Sequence, residues 1–203
     1  MISHDLSGFV LAGGKSSRMK TNKAFLKFND ETFVERAFKT LSPLCKNTKI
    51  VINEDQEAQF EQAFPAFDFV FDIYTMRGAL GGIHAALKNC ESEFALILAV
   101  DLPFVSTETL AKLVQIAAEG FSAIVPRQND GRLQPLCAVY RAKDCLPKLE
   151  ELLKNDNSAS VRDFLKLVSL QIVETNFLSD NADVFFNVNN SRDFASLTRS
   201  STD

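Results

Sequence analysis

The sequence contains no tryptophan, only two tyrosines and two histidines, and no long hydrophobic run. No apolar segment approaches the ~20 residues that a membrane-spanning helix needs. The N-terminal residues combine neither a positively charged cluster nor an apolar stretch, so the sequence predicts no secretory signal. These absences together favour a cytoplasmic protein that acts without a membrane.

Positive charge is also in short supply. The chain carries 22 Lys and Arg against 26 Asp and Glu, which gives a formal net charge of −4 and argues against a nucleic-acid partner. The cysteines form no C-x-x-C pair, and their spacings match no zinc site. We therefore expect four reduced thiols, at Cys45, Cys90, Cys137 and Cys145.

The chain nevertheless has ample material for a core. Its 203 residues are 46% hydrophobic and include 18 phenylalanines, which suits one domain of ordinary size. We expect residues 1–197 to form that domain, and the short polar segment 198–203 to be a disordered tail. We also expect the protein to act as a monomer.

Apolar runs alternate with helical patterns along the first half of the chain. This alternation predicts an α/β fold, in which a mostly parallel sheet is covered by helices on both faces as a Rossmann-like three-layer sandwich. The expected helices include one over residues 31–41. We expect strands over residues 6–12, 49–53, 67–72, 94–100 and 121–125, and in the less regular second half over 132–140, 168–173 and 185–188.

Polar or flexible residues follow four of the predicted parallel strands: Gly13, Asn53, Asp72 and Asp101. Ligands of parallel sheets bind beyond the carboxyl ends of the strands. We therefore expect these four residues to line one crevice. The third strand is followed by a predicted glycine-rich loop that contains residues 78–82.

The first strand runs directly into Gly13 and Gly14, and the cations Lys15, Arg18 and Lys23 follow. Glycine lets backbone amides approach an anion closely, and nearby cations neutralise its charge, so the segment predicts a phosphate-binding loop. It is not a P-loop, because five residues rather than four separate Gly8 from the Gly-Lys pair. It also lacks the third glycine of a dinucleotide fingerprint.

Residues 11–23 resemble the signature Leu-Ala-Gly-Gly-x-Ser-x-Arg-Met-x-x-x-Lys of the small nucleotidyltransferases. Within that group the chain is similar to the molybdenum cofactor guanylyltransferases, and the resemblance covers nearly the whole chain. It departs from them at Lys20 and Asn22, where glycine and aspartate are common, in residues 76–80, where Gly-Pro-Leu is usual, and in residues 190–193, where Thr-Pro-Glu-Asp is usual. Four further stretches carry the similarity, at residues 78–82, 98–103, 134–140 and 187–189.

The resemblance implies a fold of the nucleotide-diphospho-sugar transferase type and a specific reaction. GMP would pass from GTP to the terminal phosphate of molybdenum-molybdopterin, with release of pyrophosphate and formation of molybdopterin guanine dinucleotide. Related cytidylyltransferases usually read Ala-Ala-Gly at residues 11–14, so the sequence here favours guanine. The resemblance also implies other molybdenum cofactor biosynthesis proteins as partners.

Two other interpretations stay open. The chain could transfer a nucleotide from CTP, or transfer it to a sugar phosphate. It could instead be a catalytically silent GTP-binding regulator, which the departures at Lys20 and Asn22 would allow.

The resemblance and the chemistry of the side chains assign expected roles. A carboxylate at the end of a buried strand suits Mg²⁺, so Asp101 is the expected metal ligand and catalytic residue. Lys23 and Arg18 are expected to stabilise charge on the triphosphate during transfer. The other nucleotide contacts are expected from the backbone of Leu11, Ala12, Gly13 and Gly14 and from the side chains of Asn53 and Asp72.

The acceptor side is expected in the second half of the chain. Asn187 and Asn189 stand two apart on a predicted strand, so they would share one face and one of them would reach the metal or the acceptor phosphate. Arg132 and Gln134 are expected near the pterin. His84 has no neighbouring His or Cys in sequence, and we expect it to be structural.

Overall fold

The computed structural model of the protein describes residues 5–14, 22–117 and 120–199. Its strands in chain order are β1 (Leu6–Leu11), β2 (Lys27–Phe28), β3 (Glu31–Thr32), β4 (Asn47–Ile52), β5 (Asp68–Phe71), β6 (Phe94–Ala99), β7 (Ala123–Arg127), β8 (Cys137–Arg141) and β9 (Leu170–Glu174).

Seven of these strands form one sheet in the order β5-β4-β1-β6-β8-β7-β9, and β2 pairs with β3 in a separate ribbon. The pairs β4–β5, β1–β4, β1–β6 and β7–β9 are parallel. β8 runs antiparallel to both of its neighbours, β6 and β7. The expected mostly parallel sheet is therefore confirmed, with one reversed strand that the sequence did not indicate.

Helices cover both faces of the sheet. They are α1 (Phe33–Leu41), α2 (Glu57–Ala63), α3 (Ala79–Lys88), α4 (Thr107–Ile116), α5 (Ala142–Asn155), α6 (Val161–Leu167), α7 (Thr175–Leu178) and α8 (Ser191–Arg199).

Alternate side chains of the central strand β6 enter two separate cores. Leu96 and Leu98 pack in the cluster that includes the buried faces of α1 and α4. Ala95 and Ile97 pack in the cluster that includes α3 and α5. Because successive side chains of a strand point to opposite faces, this alternation produces the three-layer sandwich that was predicted.

The helix expected over residues 31–41 begins two residues later, at Phe33. Glu31 and Thr32 pair with β2 instead. The Thr32 hydroxyl accepts a hydrogen bond from the Glu35 amide, and the Glu35 carboxylate accepts one from the Thr32 amide at 2.9 Å. This capping box satisfies two orphan donors and fixes where α1 starts.

The prediction of a strand over residues 185–188 is wrong. The Phe186 amide donates to the Asp183 carbonyl in a turn, and the Val188 amide donates to the Asp101 carbonyl at 2.9 Å. Phe185 and Val188 are nevertheless buried in the core. Their spacing therefore reflected burial of an irregular segment, and the inference that Asn187 and Asn189 share a strand face does not hold.

Two further expectations need correction. The strand expected over residues 132–140 begins only at Cys137, because Gln134 and Cys137 close a turn around Pro135, which has no amide to donate to a ladder. Gly81 and Gly82 belong to α3 rather than to a loop.

All four cysteines are free, as expected. No helix within the described residues is long and apolar enough to cross a membrane. The disordered tail expected at 198–203 stays a prediction, because residues 200–203 lie outside the described part of the chain. Within the described part, α8 continues to Arg199.

Tyr140 provides a test of how β8 supports the turn before it. Its side chain is fully buried, and its hydroxyl donates to the Pro135 carbonyl at 2.8 Å. We expect Tyr140→Phe to lower the free energy of unfolding in urea by about 0.5–1.5 kcal/mol, the usual contribution of one such bond. Tyr74→Phe, at the chain's other and partly exposed tyrosine, is the control and should leave stability unchanged. Equal stability of both variants would contradict this role.

Candidate active site

A cavity of about 500 Å³ opens at the carboxyl ends of the parallel strands. Gly13, Asn53, Asp72 and Asp101, which follow β1, β4, β5 and β6, all line it. The structure thus brings together the four residues that follow the strands. Other lining residues include Leu11, Ala12, Gly14, Asn22, Lys23, Met76, Gly78, Ala79, Gly82 and Leu136.

Backbone hydrogen bonds continue past the ends of the strands and hold this rim. The Ala12 amide donates to the Val51 carbonyl, and the Asp72 amide donates to the Ile52 carbonyl, both at 2.9 Å. The main chain is therefore fixed at the level of the cavity, and it places the side chains that follow each strand at the rim.

Gly13 and Asn53 lie in direct contact across the β1–β4 pair. The Asn53 amide group donates to the Gly13 carbonyl, and Asn53 is only 5% exposed. A Cβ at Gly13 would stand 3.1 Å from the Asn53 backbone nitrogen and its side-chain oxygen. The absence of a side chain at Gly13 therefore lets the two segments approach, and no larger residue would fit without displacing Asn53.

Asp72 is a nearly buried carboxylate, 7% exposed, at the β5 edge of the cavity. Its Oδ1 accepts a hydrogen bond from the Tyr74 amide at 2.7 Å. Burial raises the pKa of Asp72 above its usual value, although the Tyr74 amide and the nearby His84 oppose that shift. An oriented carboxylate of this kind can accept hydrogen bonds from N–H groups of a ligand.

Gly81 makes room for the Asp72 carboxylate. A Cβ at Gly81 would collide with both carboxylate oxygens of Asp72, and it would lie 2.7 Å from the Tyr74 carbonyl oxygen. The glycine in the first turns of α3 therefore serves this close packing.

Lys23 and Asp101 form the opposite end of the cavity. The Lys23 ammonium lies 3.8 Å from the Asp101 carboxylate, and both side chains are largely buried. Burial raises the pKa of Asp101, and the Lys23 charge opposes that shift. The Asn22 side-chain oxygen accepts a hydrogen bond from the Ala24 amide at 3.1 Å, which caps the 3-10 turn that begins at Lys23. An aspartate at position 22 would accept the same hydrogen bond from the Ala24 amide. Asparagine in place of aspartate therefore preserves the cap of this turn.

The C-terminal segment completes this end of the site. The Lys23 ammonium donates to the Asn189 side-chain oxygen at 3.5 Å, although 166 positions separate the two residues. The Val188 amide donates to the Asp101 carbonyl at 2.9 Å. The structure therefore places Asn189 beside Lys23, although not by way of a strand.

A second, more polar cavity of about 490 Å³ lies next to the first. Asn189 lines it and accepts a hydrogen bond from Lys23, which lines the first cavity. Arg132 and Asn187 also line it. Gln134 does not line it, since it is buried and donates to the Phe185 carbonyl in its wall. The remaining lining residues include Gln128, Asn129, Asp130, Thr175, Asp183 and Asp193.

The expected phosphate contact Arg18 lies outside the described residues, together with Lys15 and Lys20. Sequence reasoning gave no role to Met76, which lines the first cavity, and did not single out Leu136 within the 134–140 motif. Met76 lies within the 3-10 turn after β5, and Leu136 lies in the turn that precedes β8. His84 is not among the residues that line the cavity; its ring packs perpendicular to the ring of Tyr74, and burial lowers its pKa.

Comparison with known proteins identifies the family that this chain matches. Residues 8–173 match the family described as "MobA-like NTP transferase domain". A protein of Clostridium perfringens (strain SM101) named "Probable molybdenum cofactor guanylyltransferase" is 34% identical over 198 residues, which cover 95% of this chain and 96% of that protein. A protein of the same name from Geobacillus sp. (strain WCH70) is also 34% identical, over 93% and 96% of the two chains.

A solved structure agrees with the fold. The crystal structure of molybdopterin-guanine dinucleotide biosynthesis protein A from Archaeoglobus fulgidus superposes with a TM-score of 0.81. The match covers 97% of this chain and 98% of that one at 23% identity. At this level of identity the likeness supports the architecture of the sheet and its helices.

The packing of Gly81 on Asp72 can be tested by adding one methyl group. Alanine normally stabilises a helix interior by about 1 kcal/mol relative to glycine. We expect Gly81→Ala instead to lower the free energy of unfolding by about 1–3 kcal/mol, because the new Cβ overlaps the Asp72 carboxylate.

Gly14→Ala is the matched control, since none of the described residues places an atom within 4 Å of a Cβ there. Urea unfolding of both variants decides the question. A Gly81→Ala protein as stable as wild type would mean that the Asp72 carboxylate is not held by this contact.

Proposed function

Because the chain belongs to the MobA-like NTP transferase family, we propose that it transfers GMP from GTP to the terminal phosphate of molybdenum-molybdopterin. The products are pyrophosphate and molybdopterin guanine dinucleotide. The names of the relatives support this choice of substrates. The observation that carries the proposal is the Lys23–Asp101 pair at one end of a cavity whose other end holds Asn53 and Asp72.

GTP lies along the carboxyl edge of the sheet in this proposal. Asp72 follows β5 and Asp101 follows β6, and the strand order separates them by three inter-strand spacings. At about 4.8 Å each these spacings sum to roughly 14 Å, a distance suited to an extended nucleoside triphosphate. The cation at Lys23 takes the phosphates, so the base and ribose occupy the Asn53–Asp72 end.

The phosphate end also has the chemistry for Mg²⁺. No group of three or more His, Cys, Asp or Glu side chains gathers as a metal site within the described residues. Mg²⁺ does not need one, because it commonly takes one or two carboxylates and completes its shell with phosphate oxygens and water. Asp101 supplies such a carboxylate beside the open cavity. A bound Mg²⁺ would add positive charge where negative charge develops on the phosphates.

The transfer itself asks little of the protein in acid–base terms. An oxygen of the acceptor phosphate is already ionised, and it forms a bond to the α-phosphorus of GTP. The bond between that phosphorus and the bridging oxygen to the β-phosphate breaks, and pyrophosphate leaves with the electron pair. Lys23 stabilises charge that builds on the phosphates, and the cavity holds the reacting groups in line.

The acceptor occupies the second cavity in this proposal. Asn189 of that cavity accepts a hydrogen bond from Lys23 of the first, so we place the acceptor phosphate near the phosphate end of the nucleotide. Asn187 and Arg132 line its wall and offer donors and acceptors to a polar heterocycle or its phosphate. Gln134 supports the wall of this cavity through its hydrogen bond to the Phe185 carbonyl.

Asp101→Ala tests the proposed centre of the reaction. We expect the rate of GMP transfer to fall by at least about a hundredfold, the scale of losing one charge-stabilising group. Asp68→Ala is the control, because Asp68 is an exposed carboxylate at the amino end of β5, away from the cavity. Pyrophosphate release and thermal unfolding should be measured on both variants. Full activity of a folded Asp101→Ala protein with Mg²⁺ present would remove Asp101 from the mechanism.

The choice of substrates has its own test. We expect pyrophosphate release with GTP, Mg²⁺ and molybdenum-molybdopterin, and none when CTP, ATP or UTP replaces GTP. Incubation with each labelled triphosphate measures this directly. Turnover with CTP would replace the proposed donor. Tight GTP binding without pyrophosphate release in the presence of acceptor would instead indicate a silent regulator.

A further inference from the structure

Met76 is an exposed apolar side chain in an otherwise well-packed molecule. Four large apolar residues are strongly exposed in the described part of the chain: Ile73, Met76, Leu167 and Phe177. Met76 is the one of these that lines the first cavity, and it is 85% exposed. Part of the Met76 surface therefore borders the space that a ligand would fill.

The backbone that carries Met76 is tethered on both sides. The Arg77 amide donates to the Tyr74 carbonyl at 2.7 Å and closes the 3-10 turn of residues 75–77. The Arg77 guanidinium donates to the Asp156 carbonyl and, at 3.1 Å, to the Asn157 side-chain oxygen. The turn is thus anchored to the segment after α5, so little ordering of the main chain is needed when a ligand meets Met76.

Met76 stands at the base end of the cavity. It follows β5, as Asp72 does, and β5 lies three strands away from β6 and Asp101 in the sheet. Its neighbours in the lining on this side are Gly78 and Ala79. The surface around Met76 therefore offers small, largely apolar contacts to a flat ring, while Asp72 offers a hydrogen-bond acceptor to the ring's edge.

We propose that the Met76 thioether packs against the face of the guanine ring of bound GTP, an inference that rests on the proposed function. Methionine is flexible and polarisable, and it makes favourable contacts with aromatic rings. Covering an apolar side chain on binding also removes its surface from water. Met76 in this arrangement sets affinity by contact with the ring face, and Asp72 and Asn53 read the polar edge.

This division of roles gives Met76 a distinctive kinetic signature. The base takes no part in the breaking or forming of bonds, so the contact is the same in the ground state and the transition state. Loss of such uniform binding raises KM and leaves kcat unchanged. A change that instead damaged the phosphate end would lower kcat.

The experiment compares GTP binding and turnover for wild type, Met76→Ala, Met76→Leu and Ile73→Ala. We expect Met76→Ala to weaken GTP binding about tenfold, which corresponds to about 1.4 kcal/mol, with a matching rise in KM. Met76→Leu conserves volume and should bind within about threefold of wild type. Ile73→Ala removes a comparably exposed side chain, 72% exposed, that does not line the cavity, and it should bind as wild type does.

Hydroxyl-radical footprinting adds a direct readout. Saturating GTP should protect Met76 from oxidation and leave Ile73 and Phe177 as reactive as before. Met76→Ala binding as tightly as Ile73→Ala, or Met76 reacting equally with and without bound GTP, would overturn the contact and leave the proposed function standing. A wild-type protein that binds no GTP would overturn both.

Discussion

Parallel pairing of β1 between β4 and β6 is the constraint on which the site depends. The ladder extends beyond the strands themselves, because the Ala12 amide donates to the Val51 carbonyl and the Val100 amide donates to the Leu11 carbonyl. These bonds use main-chain groups alone. The spacing along the cavity of the side chains that follow the strands is consequently set by the sheet.

The two halves of the sheet contribute different things. The parallel half supplies the strand ends and hence most of the first cavity, whereas the reversed strand β8 brings the turn that precedes it to the same edge, where Leu136 lines that cavity. The C-terminal segment then adds Asn189 from the far end of the chain. The site thus combines the regular β-sheet with the irregular C-terminal segment that contains Asn189. Residues of that segment also line the second cavity.

Sequence alone could locate Asn53, Asp72 and Asp101 because a topological rule places the carboxyl ends of parallel strands at one edge. The points that the sequence did not indicate share one cause, which is that tertiary contacts decide the structure where the local pattern is ambiguous. The spacing of Phe185 and Val188 records burial, which is shared by strands and by turns packed on a core. Gly81 reads locally as a loop residue, yet its contact with Asp72 overrides that preference. No local sequence pattern indicates that β8 runs antiparallel to its neighbours. None indicates that Lys23 and Asn189 make contact across 166 positions.

The contact between Lys23 and Asn189, with the bond from Val188 to the Asp101 carbonyl, has a consequence for how the protein is made. A ribosome releases strands β1, β4, β5 and β6 long before it adds the residues that contact Lys23 and Asp101 at the charged end of the cavity. A nascent chain therefore contains these strands before the contacts of Lys23 and Asp101 with the C-terminal segment can form. Long-range closures of this kind come late, because the entropy of joining distant segments must be overcome first. Formation of these two contacts is thereby coupled to synthesis of the polypeptide as far as residue 189.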